Sequence, residues 1–208
     1  ITGLNLYKAL NKSSANVYVW DDNIKIKNIK NINVKKFKFD KLDFCVPSPG
    51  IPTKGKEAHL IINILKKNKV KIISELDLFQ IYLNSQNNYK NEKIKIIAVT
   101  GTNGKSTVVS IIDHVFDHLK INRSLVGNIG KSVFESKILK NGYYIIEVSS
   151  YQLETTLLFK PNFSILTNIS KDHLDRHKTM QEYIRQKFNI FKKQSLKDTA
   201  IVSVDYSG

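Results

Sequence analysis

Short apolar runs alternate along the chain with longer amphipathic ones, a pattern that predicts strands followed by helices. Asn16–Trp20 (NVYVW), Leu42–Val46 (LDFCV) and Val70–Ile73 have the length and composition of strands. Glu57–Lys67 and Glu75–Leu83 place apolar residues at helical spacing. Asn84–Lys93 (NSQNNYKNEK) is polar and without period, which predicts a linker. A second series then predicts strands at Ile94–Thr100, Ser124–Val126, Tyr143–Val148, Phe163–Asn168 and Ala200–Val204. Helices are predicted near Lys105–Leu119 and Thr179–Lys193. Such alternation requires parallel sheets covered by helices. The expected fold is therefore α/β, with two units, residues 1–83 and 94–208, joined by the linker 84–93.

With 41% apolar and 10% aromatic residues in 208, the chain can bury a core, which excludes disorder throughout. No stretch approaches the roughly 18 apolar residues of a membrane span, so no membrane partner is expected. The single cysteine, Cys45, allows no internal disulfide and no thiolate cluster, which fits a reducing, cytoplasmic setting. The chain opens on Ile1 rather than Met, so it is expected to be a piece of something longer. A net charge of +15 raises the question of nucleic acid. However, only three of the 33 basic residues are Arg, and the positives divide evenly, 18 before Lys105 and 15 from it onward. Bidentate reading of bases and phosphates favours Arg, so a nucleic-acid role is not expected. The excess would help attract polyanionic small molecules.

Candidate chemistry begins where the strand Ile94–Thr100 runs into Gly101-Thr102-Asn103-Gly104-Lys105-Ser106-Thr107 and then into an apolar-periodic helix. Glycines let backbone N–H groups converge on phosphate oxygens, and the helix N-terminus adds its dipole. In this reading the loop binds ATP, with Lys105 reaching the β- and γ-phosphates and the Ser106 hydroxyl coordinating Mg²⁺. The spacing departs from the common pattern, because the first glycine lies three residues before Gly104 rather than five. The bland alternative is a glycine turn capped by Ser or Thr, with Lys105 solvated.

Tyr143–Val148 ends on Glu147, a carboxylate at the carboxyl edge of an apolar strand, where ligands sit in open α/β sheets. Beside a phosphate loop it suits Mg²⁺; alone it would be a strand-end residue facing solvent. Asp172-His173-Leu174-Asp175-Arg176-His177 follows another strand at the same edge. His173 there could ligate metal or contact phosphate, and Arg176 could neutralise an anion; taken without context, the string reads first as a polar helix cap starting at Asp172. His59, His114 and His118 are expected to be structural or exposed. Asp21 and Asp22, ending NVYVW, stand where acidic residues meet a nucleotide's ribose or base, or simply form a turn.

GTNGKST, GNIG (Gly127–Gly130), EVSSYQLE (Glu147–Glu154), NIS-DHLDRH (Asn168–His177, with Lys171 between) and QKFNIF (Gln186–Phe191) occur in the order found in Mur ligases, and the chain resembles that family over nearly its whole length. SPGIP (Ser48–Pro52) and ELDLF (Glu75–Phe79) narrow the resemblance to its D-glutamate-adding branch. The resemblance implies a Rossmann-like uridine-binding domain lacking its first strand, then an incomplete P-loop parallel-sheet ATPase domain, with the C-terminal domain absent. It implies ATP-driven joining of D-glutamate to UDP-N-acetylmuramoyl-L-alanine through an acyl phosphate, by a monomer in the cytoplasm, with two Mg²⁺ ions. Related ligases with another amino acid, or a non-catalytic nucleotide-binding fragment, remain the alternatives.

By motif matching, Lys105 would stabilise the transferring phosphoryl group, and Ser106 and Glu147 would hold one Mg²⁺. His173 and Lys187 would serve the second, with Lys187 carbamylated as in relatives; read without the family, Lys187 is an exposed helix lysine. Asn128, Ser149, Ser150 and Gln152 would contact the nucleotide-sugar. Asp21, Asp22, Ser48, Pro49 and Gly50 would meet its uridine, with Thr2 and Gly3 the remnant of a diphosphate-binding turn. A chain ending at Gly208 is not expected to complete the reaction alone.

Overall fold

The computed structural model describes residues 2–22, 32–55, 57–86, 92–129, 131–136 and 138–203. Residues 87–91 of the predicted linker, Gly130 and Val204 lie outside them. Packing divides the chain after Ile73 into two units.

In the first unit α1 (Thr2–Leu10) is followed by a 3-10 turn at Phe39–Lys41, β1 (Phe44–Cys45), α2 (Leu60–Lys67) and β2 (Lys71–Ile72). β1 and β2 pair in parallel, Phe44 opposite Lys71 and Cys45 opposite Ile72. Parallel neighbours need a crossover, and α2 supplies it. Its apolar face, Ile61, Ile62 and Leu65, buries with Phe39 and Val70, and Trp20, Phe37 and Leu42 close the rim. Two expectations fail here. Asn16–Trp20 forms no strand; among the described residues it makes one bridge, at Val19, whose carbonyl accepts the Ile32 N–H at 2.9 Å. Alternation alone does not make a strand without a ladder to pair with. Thr2 and Gly3 open α1 rather than forming a turn before it.

The second unit comprises α3 (Glu75–Ser85), β3 (Ile94–Thr100), α4 (Lys105–His118), β4 (Arg123–Gly127), β5 (Gly142–Glu147), α5 (Ser150–Glu154), β6 (Phe163–Leu166), α6 (Leu174–His177), α7 (Met180–Phe188) and β7 (Thr199–Val202). All five strands are parallel, in the order β4-β5-β3-β6-β7. The chain leaves β3 for the β4 edge, returns to β5, and then crosses to β6 on the far side. That reversal makes the carboxyl end of β3 a topological switch point. β3 is apolar almost throughout because both its faces are covered. One face (Ile94, Ile96, Ala98) joins Leu76, Phe79 and Leu83 of α3 and Leu153 of α5. The other (Ile97, Val99) packs with Val109, Ile112 and Phe116 of α4. No helix among the described residues is long and apolar enough to cross a membrane.

The predicted boundary after residue 83 is corrected by this packing: α3 belongs to the second unit. Phe79 sits edge-on against Tyr144 of β5, with ring centroids 4.9 Å apart, inside the same cluster as β3. Asp77 adds a polar anchor. It is fully buried, its Oδ1 accepts the N–H groups of Leu157, Leu158 and Phe159 at 2.9, 2.7 and 3.0 Å, and its Oδ2 accepts that of Ser74 at 3.0 Å. A carboxylate in the first turn of one helix thus holds the turn leading to β6.

Candidate active site

Three strands of the second unit end side by side. Val99 is in register with Glu147, and Thr100 with Leu166, so the segments after β3, β5 and β6 leave the sheet at one edge. The loop after β3 makes its turn on glycine. Gly104 is the N-cap of α4, in the left-handed conformation at φ 78°, and contributes no side-chain cap. The first-turn N–H groups of α4 are consequently not taken by a capping side chain and can meet an anion. Gly101 has φ 151°, and a Cβ there would fall 1.9 Å from Thr167 Oγ1.

The segment after β6 braces this loop. Thr102 donates its N–H to the Asn168 carbonyl at 2.9 Å, and Asn103 donates its N–H to Asn168 Oδ1 at 2.9 Å. The Asn168 amide returns a bond to the Asn103 carbonyl at 3.1 Å. Thr102 Oγ1 lies 3.0 Å from the buried Tyr183 hydroxyl of α7. Lys105 folds back so that its amine donates to the carbonyls of Gly101 and Thr102 at 2.9 and 2.7 Å. Thr107 lies exposed in the first turn of α4.

Ser106 and Glu147, paired in the sequence reading, meet: Ser106 Oγ donates to Glu147 Oε2 at 2.7 Å. Asn128 joins them, its amide donating to Glu147 Oε1 at 2.9 Å. Glu147 is almost fully buried, so both oxygens of this carboxylate are engaged inside protein. No group of three His, Cys, Asp or Glu residues able to hold a metal occurs among the described residues. A hydroxyl and a carboxylate oxygen in contact are hard ligands for Mg²⁺, which keeps waters and takes phosphate oxygens in place of a full protein cage. The donor set fits that ion.

Lys187 was an unremarkable helix lysine by spacing alone. It is instead 1% exposed, its amine donates to the Gly101 carbonyl at 2.6 Å and stands 4.6 Å from the centre of the Tyr183 ring. Two lysine amines, Lys105 and Lys187, therefore converge on one loop carbonyl. Burial, reinforced by the Lys105 charge and opposed by Asp172, lowers the Lys187 amine to about 7.

His173 begins α6 with a left-handed backbone at φ 50°. Its Nε2 lies 3.3 Å from Asp172 Oδ2 and its Nδ1 3.2 Å from the Tyr151 hydroxyl. The Tyr151 ring also lies 5.6 Å from that of His177 between centroids and 5.5 Å from the Arg176 guanidinium. Arg176, expected to meet an anion, binds Glu154 at 3.0 Å in a largely buried pair. His177 is buried between Tyr151 and Tyr183, near Ser150 Oγ at 3.0 Å, and burial pushes its imidazole below the usual range.

Ser149 and Gln152, expected at the substrate, form the capping box that starts α5: Ser149 Oγ accepts the Gln152 N–H, and Gln152 Oε1 accepts the Ser149 N–H. The S-x-x-Q spacing carried that signal. In the first unit, Ser48, Pro49 and Gly50 form the turn after β1, closed by the Ile51 N–H to the Ser48 carbonyl at 2.9 Å. A Cβ at Gly3 would lie 3.6 Å from Ser48 Oγ, so the start of α1 adjoins that turn. Asp21 and Asp22 follow the Val19 bridge, and Asp22 binds His59 at 2.9 Å. The sequence reading missed Asn168, Tyr151, Tyr183 and His177 as parts of the site; Tyr183 and Lys187, four apart on one helical face, were the available signal.

Gly127, at the end of β4, carries a further prediction. Its φ is 113°, and a Cβ there would come within 2.3 Å of the Glu147 carbonyl oxygen. Gly127→Ala is expected to lower stability by about 3 kcal/mol in urea denaturation, through left-handed strain and displacement of β4 from β5. A loss below about 1 kcal/mol would show that the strand end yields freely.

The family described as the Mur ligase middle domain matches residues 99–207, just over half of the chain. Over 98% of its length the chain is 35% identical to the UDP-N-acetylmuramoylalanine--D-glutamate ligase of Rickettsia bellii (strain RML369-C), covering 44% of that protein. It is 37% identical to the protein of the same name from Caulobacter sp. (strain K31), over 98% of this chain and 45% of that one. The chain thus spans less than half the length of these relatives. Among solved structures, UDP-N-acetylmuramate:L-alanyl-gamma-D-glutamyl-meso-diaminopimelate ligase from Neisseria meningitides aligns with a TM-score of 0.50 at 13% identity, covering 79% of this chain and 53% of that one. This likeness is one of fold.

Proposed function

The chain belongs to the Mur ligase family, and from that premise we propose that it is part of a cytoplasmic, monomeric ligase. The reaction is ATP-dependent addition of D-glutamate to UDP-N-acetylmuramoyl-L-alanine, a step in peptidoglycan precursor synthesis. The observation that carries the proposal is the contact of Ser106 with the buried Glu147 at the mouth of a glycine-turned loop, with Lys105 and Lys187 over the same loop. In this reading residues 94–208 bind ATP, and residues 1–73 bind the nucleotide-sugar through Asp21, Asp22 and the Ser48–Gly50 turn.

The chemistry asks for charge stabilisation and little else. The alanyl carboxylate attacks the γ-phosphorus, the bond to the β-phosphate oxygen breaks, and an acyl phosphate and ADP form. The D-glutamate amine then adds to the acyl carbon, loses a proton, and phosphate departs carrying one former carboxylate oxygen. The α4 N-terminus and Lys105 meet the negative charge moving across the phosphates. Ser106 and Glu147 would hold Mg²⁺, which when bound neutralises phosphate charge. Asn128 fixes the Glu147 carboxylate, and Asn168 fixes the loop. His173 stands ready as a further phosphate or metal contact.

The test follows the oxygen. With the full-length gene product, ATP, D-glutamate and substrate carrying ¹⁸O in its alanyl carboxylate, one ¹⁸O is expected in the released phosphate. Phosphate without label would exclude the acyl phosphate.

Lys187 yields a second expectation. An amine lowered to about 7 is mostly neutral at pH 8, and a neutral amine adds CO₂ to give a carbamate and a proton. At fixed dissolved CO₂, a ¹³C carbamate signal should grow as pH rises through 7 and be missing from Lys187→Met. Formation follows loss of the ammonium proton, so the sign is upward with pH. A signal unchanged by Lys187→Met would assign it elsewhere.

A further inference from the structure

His59 joins two features that the first unit's chemistry does not otherwise connect. Its Nδ1 accepts the Ile61 N–H at 3.3 Å and so caps α2. A ring nitrogen that accepts carries no proton, so the neutral ring holds its hydrogen on Nε2. Nε2 lies 2.9 Å from Asp22 Oδ2 and donates to it. The Trp20 ring, 5.1 Å away between centroids, packs beside the imidazole. The start of a helix thereby fixes one oxygen of an exposed carboxylate at the end of the Val19 segment. Among the described residues the imidazole engages Oδ2, which leaves Oδ1 as the oxygen able to accept from a ligand. Hydrogen bonds to an ionised acceptor are the stronger kind, and an acceptor fixed in advance loses less freedom on binding.

We infer that His59 is a positioning residue for a nucleoside subsite: it orients Asp22 to accept from a nucleoside donor, either the imide N–H of the base or a ribose hydroxyl. The inference rests on the reading of residues 1–73 as the nucleotide-sugar unit, and it assigns that unit a residue which does not itself touch the ligand.

The experiment is UDP binding to the 208-residue chain by titration calorimetry, with His59→Asn, Asp22→Asn and the double variant. Asn caps helices well but is too short to reach Asp22, so His59→Asn keeps the cap and removes the lock. It should weaken UDP binding about tenfold, with an unchanged urea midpoint. In the Asp22→Asn background the same substitution should cost almost nothing, because its effect runs through that carboxylate. N3-methyl-UDP losing affinity would assign the imide N–H, and 2′,3′-dideoxy-UDP losing it would assign the ribose. Tight UDP binding unaffected by His59→Asn, or an equal loss in both backgrounds, would overturn the inference and leave the nucleotide-binding reading standing. No UDP binding by the unaltered chain would overturn both.

Discussion

Lys105→Ala is expected to lower ATP turnover of the full-length gene product about a thousandfold, with little change in its unfolding midpoint. Among the described residues the Lys105 amine bonds to loop carbonyls, at 2.9 and 2.7 Å, so its loss should leave the packing that holds the sheet in place. In the proposed reaction it removes the positive charge that would meet the phosphoryl oxygens as charge moves from the γ-phosphate to ADP. About three powers of ten correspond to ~4 kcal/mol, the size of one well-placed charge in a dry site. Lys105→Arg should not restore the rate, because a planar fork replaces a compact ammonium where the loop closes tightly. A Lys105→Ala enzyme within tenfold of the unaltered one would mean that Lys187 or the α4 N-terminus carries the charge instead.

Asp77→Ala should have the largest effect on stability, about 4 kcal/mol in urea denaturation of the chain. Four backbone N–H groups, those of Ser74, Leu157, Leu158 and Phe159, would lose their shared acceptor, a carboxylate that is itself fully buried. Asp77→Asn keeps one acceptor oxygen but turns an amide toward N–H donors, so it should cost about half as much. The Ser74 capping box suffers too, since the Asp77 side chain supplies half of it. A loss below about 1 kcal/mol from Asp77→Ala would show that water reaches these amides. Because the turn at Leu157–Phe159 leads into β6, the damage should also reach the Asn168 brace of the loop after β3.

The site was legible wherever local sequence determines geometry. An unbroken apolar run such as Ile94–Thr100 can only be a strand covered on both faces, and glycines followed by an apolar period place a loop at a helix N-terminus. Glu147 was legible from its place at the end of such a strand. Contacts that span many residues were not. Asp77 announces a helix cap through S-x-x-D, but nothing near it in the chain points to Leu157, 80 residues away. Lys187 is buried because the turn after β3 lies above α7, a fact of tertiary packing, and only the family resemblance had singled it out. The boundary after residue 83 failed because α3 is apolar enough to join either unit, and Phe79 chose the face of β3 and β5. Asn16–Trp20 failed for the opposite reason: its pattern was right, but among the described residues its pairing is a single bridge.

The most direct measurement is phosphate release from ATP by the full-length gene product, with UDP-N-acetylmuramoyl-L-alanine and a panel of amino acids. Release that requires both the nucleotide-sugar and D-glutamate, and that is lost with Lys105→Ala, is the predicted result. Release that proceeds equally without the nucleotide-sugar, or no release with any amino acid from a folded protein that binds ATP, would contradict the account.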